Sequence, residues 1–372
     1  MSSFHAQKNK EINHKIGSEK TMYYERFIEE RDIKEATVKG YRTAVNKYTE
    51  YYNMTLEELI DEAIQEEDDK IAKRRRTIKQ RLLKFRTHLV KETDLETSTI
   101  RGIITKLTTI YNYFEVDVPD LPKLKDNEPE LTYLDLPNKK HIKQAIQISG
   151  VRISSLILFM ASSGSGRSEC ANLKVKDFIQ ACEGYYTEAE LMDILDEMDS
   201  SIEPIVPTFN LVRIKTQKSY YTFCTPEATN AIIEWLILKN EILEENGEKL
   251  TLEDSVWDLT PRQMNYHFQI INDTLDWGFK KKFRFFRPHT LRKFHASNIG
   301  LSAENVDFLQ GRSKDRLHAT YIKANPDKLK QVYVDVMDNV TIGGIDKKEI
   351  IHEDFTININ LNFYGKDYGV SI

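Results

Sequence analysis

Apolar residues recur at helical spacing through most of the chain. Tyr23, Phe27 and Ile28 predict one helix; a second opens at Ala36–Tyr41 and continues with Val45, Tyr48 and Tyr52. Thr55 as N-cap, with Glu58 three residues on, predicts a capped third helix whose stripe is Leu56, Leu59, Ile60 and Ile64. Lys70 to Val90 reads as a basic helix with Ile71, Ile78, Leu82, Leu83, Phe85 and Leu89 on its apolar face. Ser98–Arg101 begins another, carrying Ile103, Leu107, Ile110, Tyr111 and Phe114. From Val118 to Pro137 prolines and charges replace periodicity, which marks a boundary. Beyond it come a helix from Lys140 to Ile148, a buried one from Val151 to Ala161 and an acidic amphipathic one from Thr187 to Met198. Period two appears in Phe209–Lys215 and Ser219–Thr225, carrying Val212, Ile214, Tyr221 and Phe223, with Thr216-Gln217-Lys218 as the turn of a hairpin. Helices follow at Pro226–Leu238, from Pro261 after Thr260, and at Lys328–Val336; Phe355–Phe363 alternates as a last strand. The fold class is therefore mainly α with a small β-sheet (α+β). Residues 1–20 form a tail with little to bury, 21–121 a helical domain, 122–137 a linker and 138–372 a second domain.

Charge alters this picture by its placement. The 372 residues carry 53 Lys and Arg against 58 Asp and Glu, a net charge of −5, where duplex binders are usually basic overall. The signs are segregated, however. Acids cluster at Glu66–Asp69 and from Glu188 to Asp199, bases at Lys70–Arg86 and Lys280–Arg292. Such a pattern fits one DNA-facing surface on an otherwise acidic exterior. Lys73, Arg74, Arg75, Arg76, Lys79 and Arg81 are the expected phosphate contacts of the helical domain. Cys170, Cys182 and Cys224 are scattered without metal-ligand spacing, which suits reduced thiols. The first twenty residues are polar, and the longest apolar run, near Leu156–Ala161, is too short for a bilayer. A soluble intracellular protein is expected.

The chemistry concentrates between Arg287 and Tyr321. His289 and Arg292 stand three residues apart, hence on one face of a helix. Gly311-Arg312 follows an apolar run ending in Phe308-Leu309, and Tyr321 comes next. Cationic and hydrogen-bonding groups converging near a phenol suggest a phosphate bound beside a nucleophile.

His289-x-x-Arg292, Gly311-Arg312 and Tyr321 together resemble the C-terminal half of the tyrosine recombinase (phage integrase) active site. Ser162 to Glu169, with Leu173 and Asp177-Phe178, resembles the family's first-arginine motif, and Arg213 to Tyr221 its lysine hairpin. The pattern is most similar to integrases of archaeal viruses and plasmids: Arg312 stands where many relatives of the family have histidine and those integrases often have arginine. The resemblance implies a helical core-binding domain and a catalytic domain forming a clamp around DNA. It implies that Arg167, Arg292 and Arg312 hold the scissile phosphate, with His289 donating to it or accepting the tyrosyl proton. Lys215 protonates the departing 5′-oxygen, Tyr321 attacks, and Lys218 and Arg287 contact DNA. One motif is shifted: the family's arginine stands three before the glutamate, where this chain has Gly166, and Arg167 stands two before. A turn at Gly164–Gly166 would have to swing Arg167 back, because one residue of shift turns a helical side chain by about 100°. Lys218 is the rival of Lys215 and Tyr333 that of Tyr321; His295 and His318 read as structural or neighbouring groups.

What the resemblance implies for function is a site-specific DNA recombinase working through a 3′-phosphotyrosyl intermediate and a Holliday junction to integrate or excise a mobile element. Its partners are double-stranded attachment sites with inverted half-sites, bound by a tetramer on two duplexes. It needs no cofactor and no membrane, and acts in the cytoplasm at the nucleoid. The alternatives are a Xer-like chromosome or plasmid dimer resolvase, a type IB topoisomerase-like relaxing enzyme, and a DNA-binding protein with a degenerate site.

Overall fold

The computed structural model describes residues 22–125, 132–312 and 325–343. The expected N-terminal tail, His318, Tyr321 and the alternating stretch at 355–363 lie outside them. The chain divides into two compact units, Met1–Pro129 and Glu130–Ile372. The described residues are mainly helical, with a small β component.

The first unit runs through α1 (Met22–Glu29), α2 (Glu35–Tyr52), α3 (Leu56–Asp68), α4 (Thr77–Glu92) and α5 (Thr97–Tyr113). Its core is built on aromatic rings. Phe27, Tyr48, Phe85 and Tyr111 are fully buried, and the hydroxyls of Tyr48 and Tyr111 meet at 3.1 Å, so neither is left unpaired in the core. Thr55 caps α3 as its sequence requires. Its hydroxyl accepts from the Glu58 amide, and the Glu58 carboxylate takes the Thr55 amide.

The basic stretch departs from expectation. Lys70 to Val90 is not one helix: Lys70 takes a left-handed φ of 55°, Lys73–Arg75 form a single 3₁₀ turn, and α4 begins only at Thr77. The cause is tertiary. The Glu66 carboxylate at the end of α3 takes the Thr77 amide at 2.9 Å, serving as a cap supplied from another helix. Arg76 pairs with Glu67 and donates to the Ile71 carbonyl at 3.0 Å, which closes the turn.

In the second unit the helices are α6 (Lys139–Gln147), α7 (Val151–Ser163), α8 (Arg167–Asn172), α9 (Val175–Ala181), α10 (Leu191–Ser200), α11 (Pro226–Glu245), α12 (Pro261–Thr274), α13 (Pro288–Asn298), α14 (Ala303–Leu309) and α15 (Pro326–Val334). Helix α7 is buried from Ile153 to Ser163, serines included, and packs against α11 and α13, as a helix at the centre of a core must. The acidic helix starts later than its pattern suggests, because the Glu197 carboxylate turns back to take the amides of Thr187 and Glu188.

Strands β1 (Thr208–Arg213) and β2 (Lys218–Phe223) pair antiparallel, with Leu211 opposite Tyr220 and Arg213 opposite Lys218. The turn occupies Ile214–Gln217, with Gln217 left-handed at φ 56°. Lys215 therefore sits in the turn and Lys218 in the second strand, the reverse of the expected order. The face of the first strand is reversed as well, although Phe223 in the second is fully buried. Phe209, Leu211 and Tyr220 are buried, while Val212 and Ile214 are 45% and 38% exposed. Arg213 consequently shares the inward face with Phe209 and Leu211. A second, two-residue ladder pairs β3 (Phe279–Lys280) with β4 (Phe283–Arg284).

Candidate active site

Helix α13 carries the two residues around which the site is built. Its start is fixed locally: Pro288 occupies the first turn, and the Thr290 hydroxyl accepts from the Arg287 amide at 3.1 Å and donates to the Arg287 carbonyl at 2.7 Å. One turn of helix then aligns His289 with Arg292.

Arg292 is buried, 8% exposed, and anchored at both ends of its fork. Nη1 donates to the Gly164 carbonyl at 2.8 Å and Nη2 to the Gln310 carbonyl at 2.5 Å. Burial is the main force pushing its ionisation down to about 10, with repulsion from Arg312 and Arg213 added and Tyr220 and Glu169 opposing it. The group is still fully charged at neutral pH.

A second layer holds this arrangement. The Gln310 amide nitrogen donates to the Arg292 carbonyl at 3.0 Å and lies 2.9 Å from His295 Nδ1. Because the amide is the donor, Nδ1 accepts, and the ring proton sits on Nε2. That N–H is buried without a partner among the described residues. Burial first, then Arg292 and Arg312, push His295 down to about 3, so it stays neutral. Gly164 makes the close approach possible. At φ +65° a Cβ there would stand 2.7 Å from both Gln310 Nε2 and His295 Nδ1.

Helix α14 ends in a left-handed Gly311, φ +60°, whose amide bonds to the Phe308 carbonyl at 3.0 Å while the Arg312 amide bonds to that of Asp307 at 2.7 Å. The Tyr220 ring packs on Gly311 so closely that a Cβ would lie 2.6 Å from Cδ1. Arg213, from the end of β1, donates Nη1 to the Gly311 carbonyl at 2.7 Å.

These elements enclose a cleft of about 600 Å³ lined by Arg213, His289, Arg292, Lys293 and Arg312, with Tyr133 and Leu136 on the facing loop. Its lining residues include no carboxylate. His289 opens to solvent on one side. The protein packed on its other side, then Arg287, Lys293, Arg292 and Arg312, push it down to about 4. At neutral pH it is an uncharged ring able to accept a proton. Among the described residues no group of three or more His, Cys, Asp or Glu gathers as a metal site, and no helix is long and apolar enough to cross a membrane.

Of the six residues nominated for catalysis, His289, Arg292 and Arg312 line the cleft, Tyr321 lies outside the described residues, and Lys215 is exposed in the hairpin turn. Arg167 does not line it. The Gly164–Gly166 turn is non-helical, but Arg167 becomes the first residue of α8 and turns its Nη1 towards the Pro261 carbonyl, 3.5 Å away. The Glu169 carboxylate folds over Gly166 instead. Tyr333 is fully buried and donates to the Ser162 carbonyl at 3.0 Å, so its phenol is spent in the core.

The nominated DNA contacts also divide. Lys218 sits beside Arg213 in the ladder, and Arg287 stacks on the Phe283 ring at 4.3 Å. In the first unit Arg76 pairs with Glu67 and Arg81 with Glu62, both arginines mostly buried, and Lys73 pairs with Asp117. Arg74, Arg75 and Lys79 are exposed. Arg213, Lys293 and Tyr133 were not nominated from sequence. For Arg213 a signal existed, since period two from Phe209 and Leu211 puts it on the buried face.

No family model matches the chain, and no curated protein does either. Three similar solved structures are each titled a recombinase or an integrase. The crystal structure of XerA recombinase is 16% identical, with a TM-score of 0.33, covering 84% of this chain and 97% of that one. The Tn1549 transposon integrase in complex with transposon right end DNA is 14% identical, with a TM-score of 0.46, covering 85% and 98%. XerH site-specific recombinase bound to palindromic difH substrate, a post-cleavage complex, is 15% identical, with a TM-score of 0.49, covering 81% and 80%.

Proposed function

We propose that this protein is a site-specific DNA recombinase of the integrase type, which breaks and rejoins strands through a 3′-phosphotyrosyl link and moves a mobile element into or out of a chromosome. One observation carries the reading. Arg213, Arg292, Lys293 and Arg312 line a single cleft without a lining carboxylate. Glu169 partly offsets Arg292 from outside the lining, but clustered permanent cations are costly unless an anion joins them, and guanidinium forks match pairs of phosphate oxygens. Negative charge builds on those oxygens as a phosphodiester is attacked, and the same fixed donors stabilise it.

In this reading the Tyr321 oxygen attacks phosphorus, its proton passes to neutral His289, the P–O5′ bond breaks, and Lys215 in the hairpin turn protonates the leaving 5′-oxygen. The helical unit binds the duplex through Arg74, Arg75 and Lys79 and, less directly, through Lys73. The substrate is a pair of attachment sites with inverted half-sites, held by a tetramer in the cytoplasm at the nucleoid.

The test is covalent trapping of the full chain on a pool of nicked duplexes with randomised half-sites, followed by peptide mapping. An adduct at Tyr321 supports the reading; retention of DNA without any adduct overturns it. A second reading, DNA binding without cleavage, is favoured by the position of Arg167 outside the cleft, and that second outcome is the one it expects.

A further inference from the structure

Resting on this reading of the cleft, we infer that Arg213 is the guanidinium that completes the phosphate clamp, in the role the sequence motif gives to Arg167. The placement of donors argues for it. Arg292 donates to the Gln310 carbonyl and Arg213 to the Gly311 carbonyl, and Arg312 follows directly. Consecutive α-carbons are about 3.8 Å apart, so two forks are pinned to one short piece of backbone and a third springs from its end. All three line the same cleft.

Arg213 uses Nη1 on the carbonyl, and its other donors have no partner among the described residues. A guanidinium has five N–H donors in one plane, so one bond to protein leaves an edge for a ligand. Arg167 has no comparable position. It lies outside the cleft lining, and the Glu169 carboxylate stands over the residue where the motif would place an arginine. The strand register supplies the replacement. Arg213 is the last residue of β1 on the inward face, beyond Phe209 and Leu211, where the sheet runs out of core and reaches the cleft.

A purely architectural arginine, tying the hairpin to Gly311, is the competing explanation, and two measurements separate them. The first is titration of the full chain with inorganic tungstate, a tetrahedral oxyanion that needs no DNA sequence. Arg213→Ala is expected to weaken binding by about tenfold or more, the size of a lost charge-assisted bond. Arg167→Ala should bind within about twofold of wild type. Wild-type affinity in Arg213→Ala, or an equal loss in Arg167→Ala, overturns the inference. The second compares adduct formation on a nicked duplex recovered from the pool and on its methylphosphonate counterpart at the scissile position. The methyl group removes the charge the guanidinium neutralises, so the deficit of Arg213→Ala should shrink by about tenfold or more. An equal deficit on both backbones makes Arg213 architectural and overturns the inference. Tungstate binding that depends on Arg213, with no wild-type adduct on any duplex, overturns the cleavage reading while the anion contact stands.

Discussion

Arg292 Nη1 donates to the carbonyl of Gly164 at 2.8 Å, which ties α13 to the turn between α7 and α8. The residue that faces the cleft is thus also a joist between distant parts of the chain. Arg292→Ala should lose both of its carbonyl partners inside the core. Each orphaned group costs on the order of 1–3 kcal/mol, so a loss of about 2–6 kcal/mol is expected by urea denaturation. Tungstate binding should fall as well. A variant as stable as wild type would contradict the anchoring role.

Acid should loosen the second unit before most of its carboxylates titrate. His295 and His289 have folded-state values of about 3 and about 4, against an ordinary 6.5. The unfolded chain therefore binds the proton more readily. Their contribution to stability is present above pH 6.5 and declines as pH falls towards the folded values. Between about pH 6.5 and 5, where most carboxylates remain ionised, thermal midpoints should drop, with His141 and His267, also held low by burial, adding to the slope and Glu227, raised by burial, opposing it, and His295→Gln should flatten it. A flat wild-type profile in that window would refute the buried neutral assignment.

An anion in the cleft should move His289 the other way. The repulsion from Arg287, Lys293, Arg292 and Arg312 helps hold it low, and a bound oxyanion offsets that repulsion. Saturating tungstate should raise the His289 titration midpoint, read by ring carbon shifts in NMR. An unchanged midpoint with tungstate bound would place the anion elsewhere.

The tyrosines should separate cleanly. Tyr321→Phe is expected to abolish covalent trapping while leaving DNA binding intact. Tyr333→Phe should leave trapping intact and lose about 0.5–1.5 kcal/mol of stability, the worth of its bond to Ser162. Tyr133, exposed at the cleft and bonded to Asn298 at 2.7 Å, is the phenol to examine if an adduct survives Tyr321→Phe.

The basic residues of the helical unit should fall into two classes. Arg74→Ala, Arg75→Ala and Lys79→Ala should each lower DNA affinity and reduce the salt slope by about 0.9 per lost phosphate contact. Arg81→Ala should act mainly on folding, because it removes the pair with Glu62 and the stacking on Tyr52, at about 1–2 kcal/mol. Equal salt slopes across all four would erase the distinction.

Local signals in the sequence were read well where chemistry is local. Thr55 and Glu58 cap each other within one turn, and α7 declares its burial by its composition. Signals failed where distant residues decide. Nothing between Lys70 and Val90 reveals that Glu66 will cap Thr77, so the break in the basic helix was invisible. The hairpin is legible in the sequence, but the inward face of its first strand is not. In the first strand both faces carry apolar residues, Phe209 and Leu211 on one and Val212 and Ile214 on the other, so periodicity does not choose between them; the core is reached by Phe209, Leu211 and Tyr220. That ambiguity hid Arg213. It also left Arg167 as the obvious candidate, since a motif records spacing and not the direction of a side chain at a helix start.

Gly311 has a consequence of its own. It offers no functional group, yet Tyr220 lies against the space where its side chain would be, and Tyr220 is the cross-strand neighbour of Leu211, two residues from Arg213. Adding even a methyl there would lever the hairpin outward and carry a guanidinium with it. In a deep mutational scan this position should therefore be as intolerant as the arginines, and drift in this lineage should be blocked at a residue with no side chain to offer.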